Sequence, residues 1–180
     1  MREPHSRHHE MPVRRVHIIG GPGSGKSSIA GQLSEVSGIP VTDLDEMFWD
    51  RQSSTYGVRA TSESRDEALG CVLAAPDWIV EGVYYSWLER SFRESEVVIV
   101  LNVSVFIRDF RIIRRFLRRK WGMAPGKHET LRDLFGLLRW NHEYDGRNLA
   151  AAKQMMTTLG REPIECSTVQ EVLYATGYAG

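Results

Sequence analysis

The chain reads as an α/β protein of three layers, with helices on both sides of a parallel β-sheet. Two observations lead there. Short β-rich apolar runs alternate with segments of helical periodicity along the whole sequence. The run 97–103 is almost uninterruptedly apolar, as a parallel strand covered on both faces must be.

Element by element, the first strand covers 13–19 and ends in glycines. A helix over 25–36 follows, with Ile29, Leu33 and Val36 on one face and Gly38 and Pro40 closing it. A short strand at 41–44 runs into an acidic turn. Residues 62–74 are helical behind a capping-type start. Residues 78–80 form a strand closing on Glu81-Gly82, and 97–103 form the next. A strongly basic helix spans 104–121 and breaks at 122–126. A second helical region covers 130–156, bent at Gly136 or at 144–146. A strand at 163–166 and a helix at 168–175 complete the chain.

At 180 residues, with 42% hydrophobic and 26% charged, the chain suits one globular domain. Residues 1–12 read as a disordered polar tail, without a signal peptide's apolar core, and 13–180 as the domain. His5, His8 and His9 belong to that tail rather than to a metal site. Lysine plus arginine equals aspartate plus glutamate, 23 each, so bulk charge implies no polyanionic partner. Cys71 and Cys166 form no metal or disulfide pattern and suit a cytoplasmic location. No run approaches the roughly 18 apolar residues that cross a bilayer, so no membrane partner is expected.

Gly20-Gly21-Pro22-Gly23-Ser24-Gly25-Lys26-Ser27 fits G-x-x-x-x-G-K-[ST] between a strand and a helix. Glycines let successive backbone N–H groups turn inward around phosphate oxygens, and the helix that follows adds its N-terminal dipole. Gly20 to Ser28 are therefore the candidate nucleotide contacts. Lys26 would neutralise β- and γ-phosphate charge and Ser27 would ligate Mg²⁺. The ligand set expected is ATP with Mg²⁺. No Asn-Lys-x-Asp guanine-reading motif occurs.

Ligands on an open parallel sheet gather beyond the carboxyl ends of its strands. Asp43 and Asp45 follow the second strand there, and Glu81 follows the third. Asp43 and Glu81 are candidate Mg²⁺ holders, and Asp45 the candidate base for an acceptor hydroxyl. The opposing reading of Asp43 and Asp45 is a helix cap and a solvated turn. The 97–103 run ends near Asn102, so the usual acid after a long apolar strand is missing and Glu81-Gly82 resembles a displaced version of it. Phe48, Trp49, Tyr84 and Arg90 are the remaining acceptor-side candidates, while Trp121 and Trp140 are expected to pack the basic insertion.

Arg108, Arg111, Arg115 and Arg118 recur at three and four residues, so they share a helix face, with Arg114, Arg119 and Lys120 nearby. Such crowding calls for an anion. Arg115, Arg118 and Arg119 are the candidates for stabilising a transferring phosphoryl group, in a lid hinged at 122–126. Two other readings stand beside the lid: a solvated face paired with Glu129, Asp133 and Glu143, or a less favoured nucleic-acid contact.

The chain resembles the adenylate-kinase-like P-loop proteins of the DNA topology modulation group, over most of its length from Val16 to about Val172. The likeness rests on the Gly20 to Ser27 loop, on Asp43-Leu44-Asp45-Glu46-Met47-Phe48-Trp49, on Trp78-Ile79-Val80-Glu81-Gly82-Val83-Tyr84, and on the arginine-rich helix. It implies a five-stranded parallel sheet of the P-loop NTPase type in the order 2-3-1-4-5. It also implies an acceptor region at about 46–75 and an arginine lid at about 108–130. Glu81 stands where that group carries aspartate, and Asp43-Leu44-Asp45 is similar to the Asp-x-Asp of shikimate kinases. Two functions follow: a Mg-dependent kinase for a small molecule or nucleotide, or a nucleotide-dependent regulator with a DNA or protein partner.

Overall fold

A computed structural model describes residues 12–50, 58–123 and 130–179. The expected tail apart from Pro12, its three histidines, Glu129, residues 51–57 of the expected acceptor region and most of the 122–126 hinge lie outside the described residues.

The elements run β1 (Arg15–Gly20), α1 (Lys26–Ser37), β2 (Val41–Asp43), α2 (Asp45–Phe48), α3 (Ser62–Leu73), β3 (Trp78–Gly82) and α4 (Glu89–Glu94). They continue with β4 (Val97–Leu101), α5 (Val105–Lys120), α6 (Leu131–Tyr144), a π-helical turn (Asp145–Leu149), α7 (Ala150–Thr158), β5 (Ile164–Cys166) and α8 (Val169–Thr176). The five strands are all parallel in the order β2-β3-β1-β4-β5. This is the sheet the sequence implies. The short helices α2 and α4 were not legible, because neither is long enough to show a periodicity. The bend in the second helical region falls at the π turn; Gly136 sits inside an unbroken α6.

Strand periodicity divides the core in two. Val16, Ile18, Ile79 and Ile99 meet Ile29, Leu33 and Val172 from α1 and α8. Ile19, Trp78, Val80 and Val100 meet Leu69, Phe92, Tyr144 and Met156 from the opposite layer. A third small cluster, Ile112, Phe116 and Leu134, joins α5 to α6. Glu81 lies two residues after Ile79 and so points to the α1 side of the sheet. The functional consequence is direct, since α1 opens with Lys26 and Ser27 just there.

His17 is fully buried in the second layer, its Nδ1 2.8 Å from Ser91 Oγ and its ring 4.4 Å from that of Phe92. Nε2 has no partner. Burial lowers its pKa to about 3, from 6.5. The folded state thus excludes a proton that the unfolded chain takes up below pH 6.5, so stability is fully present above 6.5 and lost as pH falls towards 3. Chemical denaturation should show this as a loss of about 2 kcal/mol between pH 6.5 and pH 5. That share of the slope should vanish in His17→Gln; an identical slope in the variant would assign the acid sensitivity to other groups.

Candidate functional site

The loop between β1 and α1 closes on itself through Ser24 N–H donating to the Gly21 carbonyl at 3.2 Å. Gly23 and Gly25 adopt φ of 73° and 96°, where a Cβ is strained. Gly21 is excluded from carrying a side chain for a different reason. A Cβ there would lie 1.7 Å from Arg108 Nη1 and 3.2 Å from the Tyr144 ring. The first intrahelical bond runs from Ile29 N–H to the Gly25 carbonyl, so the amides of Lys26, Ser27 and Ser28 lack helical acceptors and form an anion-seeking N-terminus.

Lys26 is buried and its Nζ donates to the Gly21 carbonyl at 3.2 Å, a weak partner for a full charge. Burial lowers its pKa, against the pull of Glu81, Asp45 and Asp43. The buried Ser24 hydroxyl has no hydrogen-bond partner among the described residues. An ammonium, three amides and an orphaned hydroxyl on one loop are a donor set that fits phosphate oxygens.

Glu81 and Asp43 stand opposite one another in the β2–β3 register. Burial raises the pKa of both. Ser27 Oγ donates to Glu81 Oε1 at 2.5 Å. This hydroxyl–carboxylate pair, with Asp43 beside it, fits a magnesium ion whose remaining ligands are water and phosphate oxygens. Asp43 Oδ1 also accepts the Asp45 N–H at 2.8 Å, a turn-forming bond just ahead of α2, whose N-cap is Leu44.

Asp45 opens α2, and the Tyr84 hydroxyl donates to its Oδ1 at 2.5 Å. Burial and this bond to Asp45 push the Tyr84 phenol well above its ordinary range, so it stays protonated as a donor. Tyr84 stacks on Phe48 at 4.3 Å, and Trp49 meets Phe48 edge-on at 5.0 Å. Backbone bonds from Asp50 to Val58 and from Ala60 to Phe48 bring Arg59 beside this aromatic wall, its guanidinium 5.4 Å from the Phe48 ring.

These groups line one cleft of about 710 Å³, with Lys26, Ser27, Asp43 and Glu81 at its floor. Asp45, Phe48, Trp49, Tyr84 and Arg59 form one side, and Arg111, Arg115, Ile112, Leu137, Trp140 and Asn148 the other.

Helix α5 divides its arginines where the sequence grouped them. Arg108 is 1% exposed, held by Asp145 through Nη1–Oδ1 and Nη2–Oδ2 bonds of 3.0 and 2.5 Å. Arg111 Nη1 donates to the carbonyls of Gly23 and Ser24 at 3.2 and 2.9 Å. Arg115 reaches the cleft. Arg118 and Arg119 do not line it: they lie one helical turn beyond Arg115, about 5 Å further along the axis from the loop.

Arg90 is also displaced from its expected place. It pairs with Glu94 at 2.6 Å and lines a separate groove between α3 and α4. Trp140 belongs to the cleft, edge-on to Tyr144 at 5.9 Å, and Trp121 is exposed rather than packing the insertion. The solvated-face pairing fails for Glu143, which binds Arg139 and Arg147, and for Asp133, which caps Thr130. Arg59, Leu137 and Asn148 were missed, as lone residues without a pattern. Arg111 was visible only as one of the crowded arginines.

No family model matches the chain, and no curated protein matches it. Solved structures do. A gluconokinase from Sinorhizobium meliloti 1021 is 17% identical, with 81% of this chain and 97% of that one covered at a TM-score of 0.43. A protein assigned as a fructose transport system kinase from Silicibacter sp. TM1040 is 16% identical, with 87% and 90% covered at 0.46. At these scores neither likeness bears on what this chain acts upon, and the P-loop fold stands on its own strand order and loop geometry.

The packing of Arg108 under the loop makes a checkable statement. Gly21→Ala should lower stability by about 1–3 kcal/mol, because the buried guanidinium must leave its place beside Asp145. Denaturant titration measures this; a change within about 0.5 kcal/mol would mean the loop shifts freely around the added methyl.

Proposed function

We propose that this chain is a Mg-dependent phosphotransferase that moves the terminal phosphoryl group of ATP to the hydroxyl of a small acceptor. One observation carries the reading: a carboxylate braced by a phenol, Asp45 with Tyr84, shares a single cleft with the Lys26–Ser27–Glu81 cradle. A nucleotide-dependent regulator needs the cradle alone and leaves that pair and its aromatic wall without a task.

The loop amides and Lys26 hold the phosphates, while Ser27, Glu81 and Asp43 are the residues that would hold magnesium. The metal supplies neutralisation of charge on the phosphate oxygens. Asp45 takes the proton from the acceptor hydroxyl as its oxygen bonds to phosphorus and the bond to the leaving ADP oxygen breaks. Tyr84 fixes the Asp45 carboxylate so that the free oxygen faces the acceptor. Arg115 supplies positive charge from the opposite wall, with Arg111 steadying the loop it binds.

The acceptor side narrows the substrate class. Phe48, Trp49 and Tyr84 suit a flat or ring-shaped skeleton, and Arg59 suits an anionic substituent on it. We therefore read the acceptor as a hydroxylated, anionic ring compound. The described part of 46–75 is the acceptor region on this reading, and from 108–130 Arg111, Ile112 and Arg115 belong to the opposite wall. No nucleic-acid contact is needed.

Incubation with labelled Mg·ATP and a panel of such compounds should yield a phosphorylated product. Lys26→Ala should lower turnover about 100- to 1,000-fold. Asp45→Asn should lower it comparably while ATP affinity, measured by titration, changes less than about threefold. Transfer that survives unchanged in Asp45→Asn would remove Asp45 as the base. Slow hydrolysis alone, with no acceptor phosphorylated, would return the chain to the regulatory class.

A further inference from the structure

Helix α5 presents a second face that the cleft does not use. Phe106, Phe110, Ile113, Leu117 and Trp121 recur at four, three, four and four residues, so they form one stripe along the helix. All five are exposed, Phe106 to 75%, Phe110 to 64% and Trp121 to 65%. The inward face is a different set, Arg108, Ile112 and Phe116. At 100° per residue the two faces lie well over a quarter-turn apart. The neighbouring helix, joined through Ile112, Phe116 and Leu134, adds exposed Leu131 and Phe135. Isolated exposed apolar side chains need no explanation, but an aromatic stripe over four turns is a surface made for contact.

The charge around the stripe selects what covers it. Helix α5 carries seven basic residues and one acid, Asp109, and that acid is taken up by Asn141 and His142 at 2.7 Å each. Arg114 and Arg118 flank the stripe on one side and Lys120 on the other, all exposed. Two copies packed stripe to stripe would bring these cations together. A nucleic-acid backbone would satisfy the cations but has no use for five large apolar side chains. An anionic bilayer surface answers both: acyl chains and glycerol accept the aromatic stripe, and headgroup phosphates accept the flanking arginines.

We propose that α5 lies along an anionic membrane surface, its Phe106 to Trp121 stripe inserted at headgroup depth and Arg114, Arg118 and Lys120 on lipid phosphates. No described helix is long and apolar enough to cross a membrane, but a helix lying in the interface needs no such run. The expectation of no membrane partner came from the lack of a spanning segment, and a surface contact escapes that criterion. Arg111 and Arg115 sit on the flank away from the stripe's centre, so the cleft stays open to solvent when the helix is seated. The proposal is independent of the phosphotransfer reading.

The full-length protein is mixed with vesicles of phosphatidylcholine alone, or of phosphatidylcholine with phosphatidylglycerol, and sedimented. Binding to the anionic vesicles should exceed binding to the neutral ones by about tenfold or more and weaken with added salt. Phe110→Ser with Leu117→Ser, and separately Arg114→Glu with Lys120→Glu, should each cut binding about tenfold. Circular dichroism checks that the exposed substitutions leave the fold intact. Trp121 emission should shift to the blue on binding, a shift lost in Trp121→Ser. Absence of vesicle binding would overturn the proposal. So would vesicle binding indifferent to the apolar substitutions. A vesicle-independent dimer in sedimentation that Phe110→Ser and Leu117→Ser dissolve would assign the face to a second copy of the chain instead.

Discussion

Arg108 is a guanidinium with almost no exposed surface, wedged between the β1–α1 loop and the turn that joins α6 to α7. Removing such a charge from water costs several kcal/mol, and only a well-aligned partner offsets it. Asp145 supplies two parallel bonds, and it does so from the π-helical turn between α6 and α7. The wide turn thus marks where the helical layer is tied to the loop. It also places Asn148 at the cleft and Leu149 in the core. Tyr144, one residue earlier, packs over Gly21 and donates to the Val83 carbonyl at 3.0 Å, fastening the same helix to the end of β3.

The site's electrostatics follow from that framework. The loop is held in shape from below by Arg108 and from the side by Arg111, so its amides are arranged before any anion arrives, which lowers the cost of binding one. Lys26, Glu81 and Asp43 are pushed towards their neutral forms by burial. On the proposed reading, a polyanion and a divalent cation would reverse the balance, because each would give the buried charges a partner.

Helix α5 serves two surfaces at once. Its inward cations organise the loop and the cleft, while its outward stripe is apolar and exposed among the described residues. That double use explains why its seven basic residues resist a single interpretation. They share a helix, but the packing sends them to a carboxylate, to backbone carbonyls, to the cleft and to solvent.

What was legible in the linear chain was whatever local periodicity or backbone chemistry dictates. Glycines at Gly21, Gly23 and Gly25, Lys26 and Ser27 announce the loop, because only that composition can turn amides inward at a helix start. The strands and long helices followed from apolar spacing, and Glu81 from its place at the end of an apolar strand. The strand order came from likeness to a known group rather than from spacing. Tertiary structure decided what depends on long-range geometry. It placed Arg90 in another groove, on a short helix away from the loop, and left Arg118 and Arg119 one helical turn beyond the cleft. It brought in Arg59 through a strand-like pairing with Trp49, and turned Trp140 towards the site. A side chain's direction in the sequence is set within a few residues; its partner is set only when distant segments close on one another.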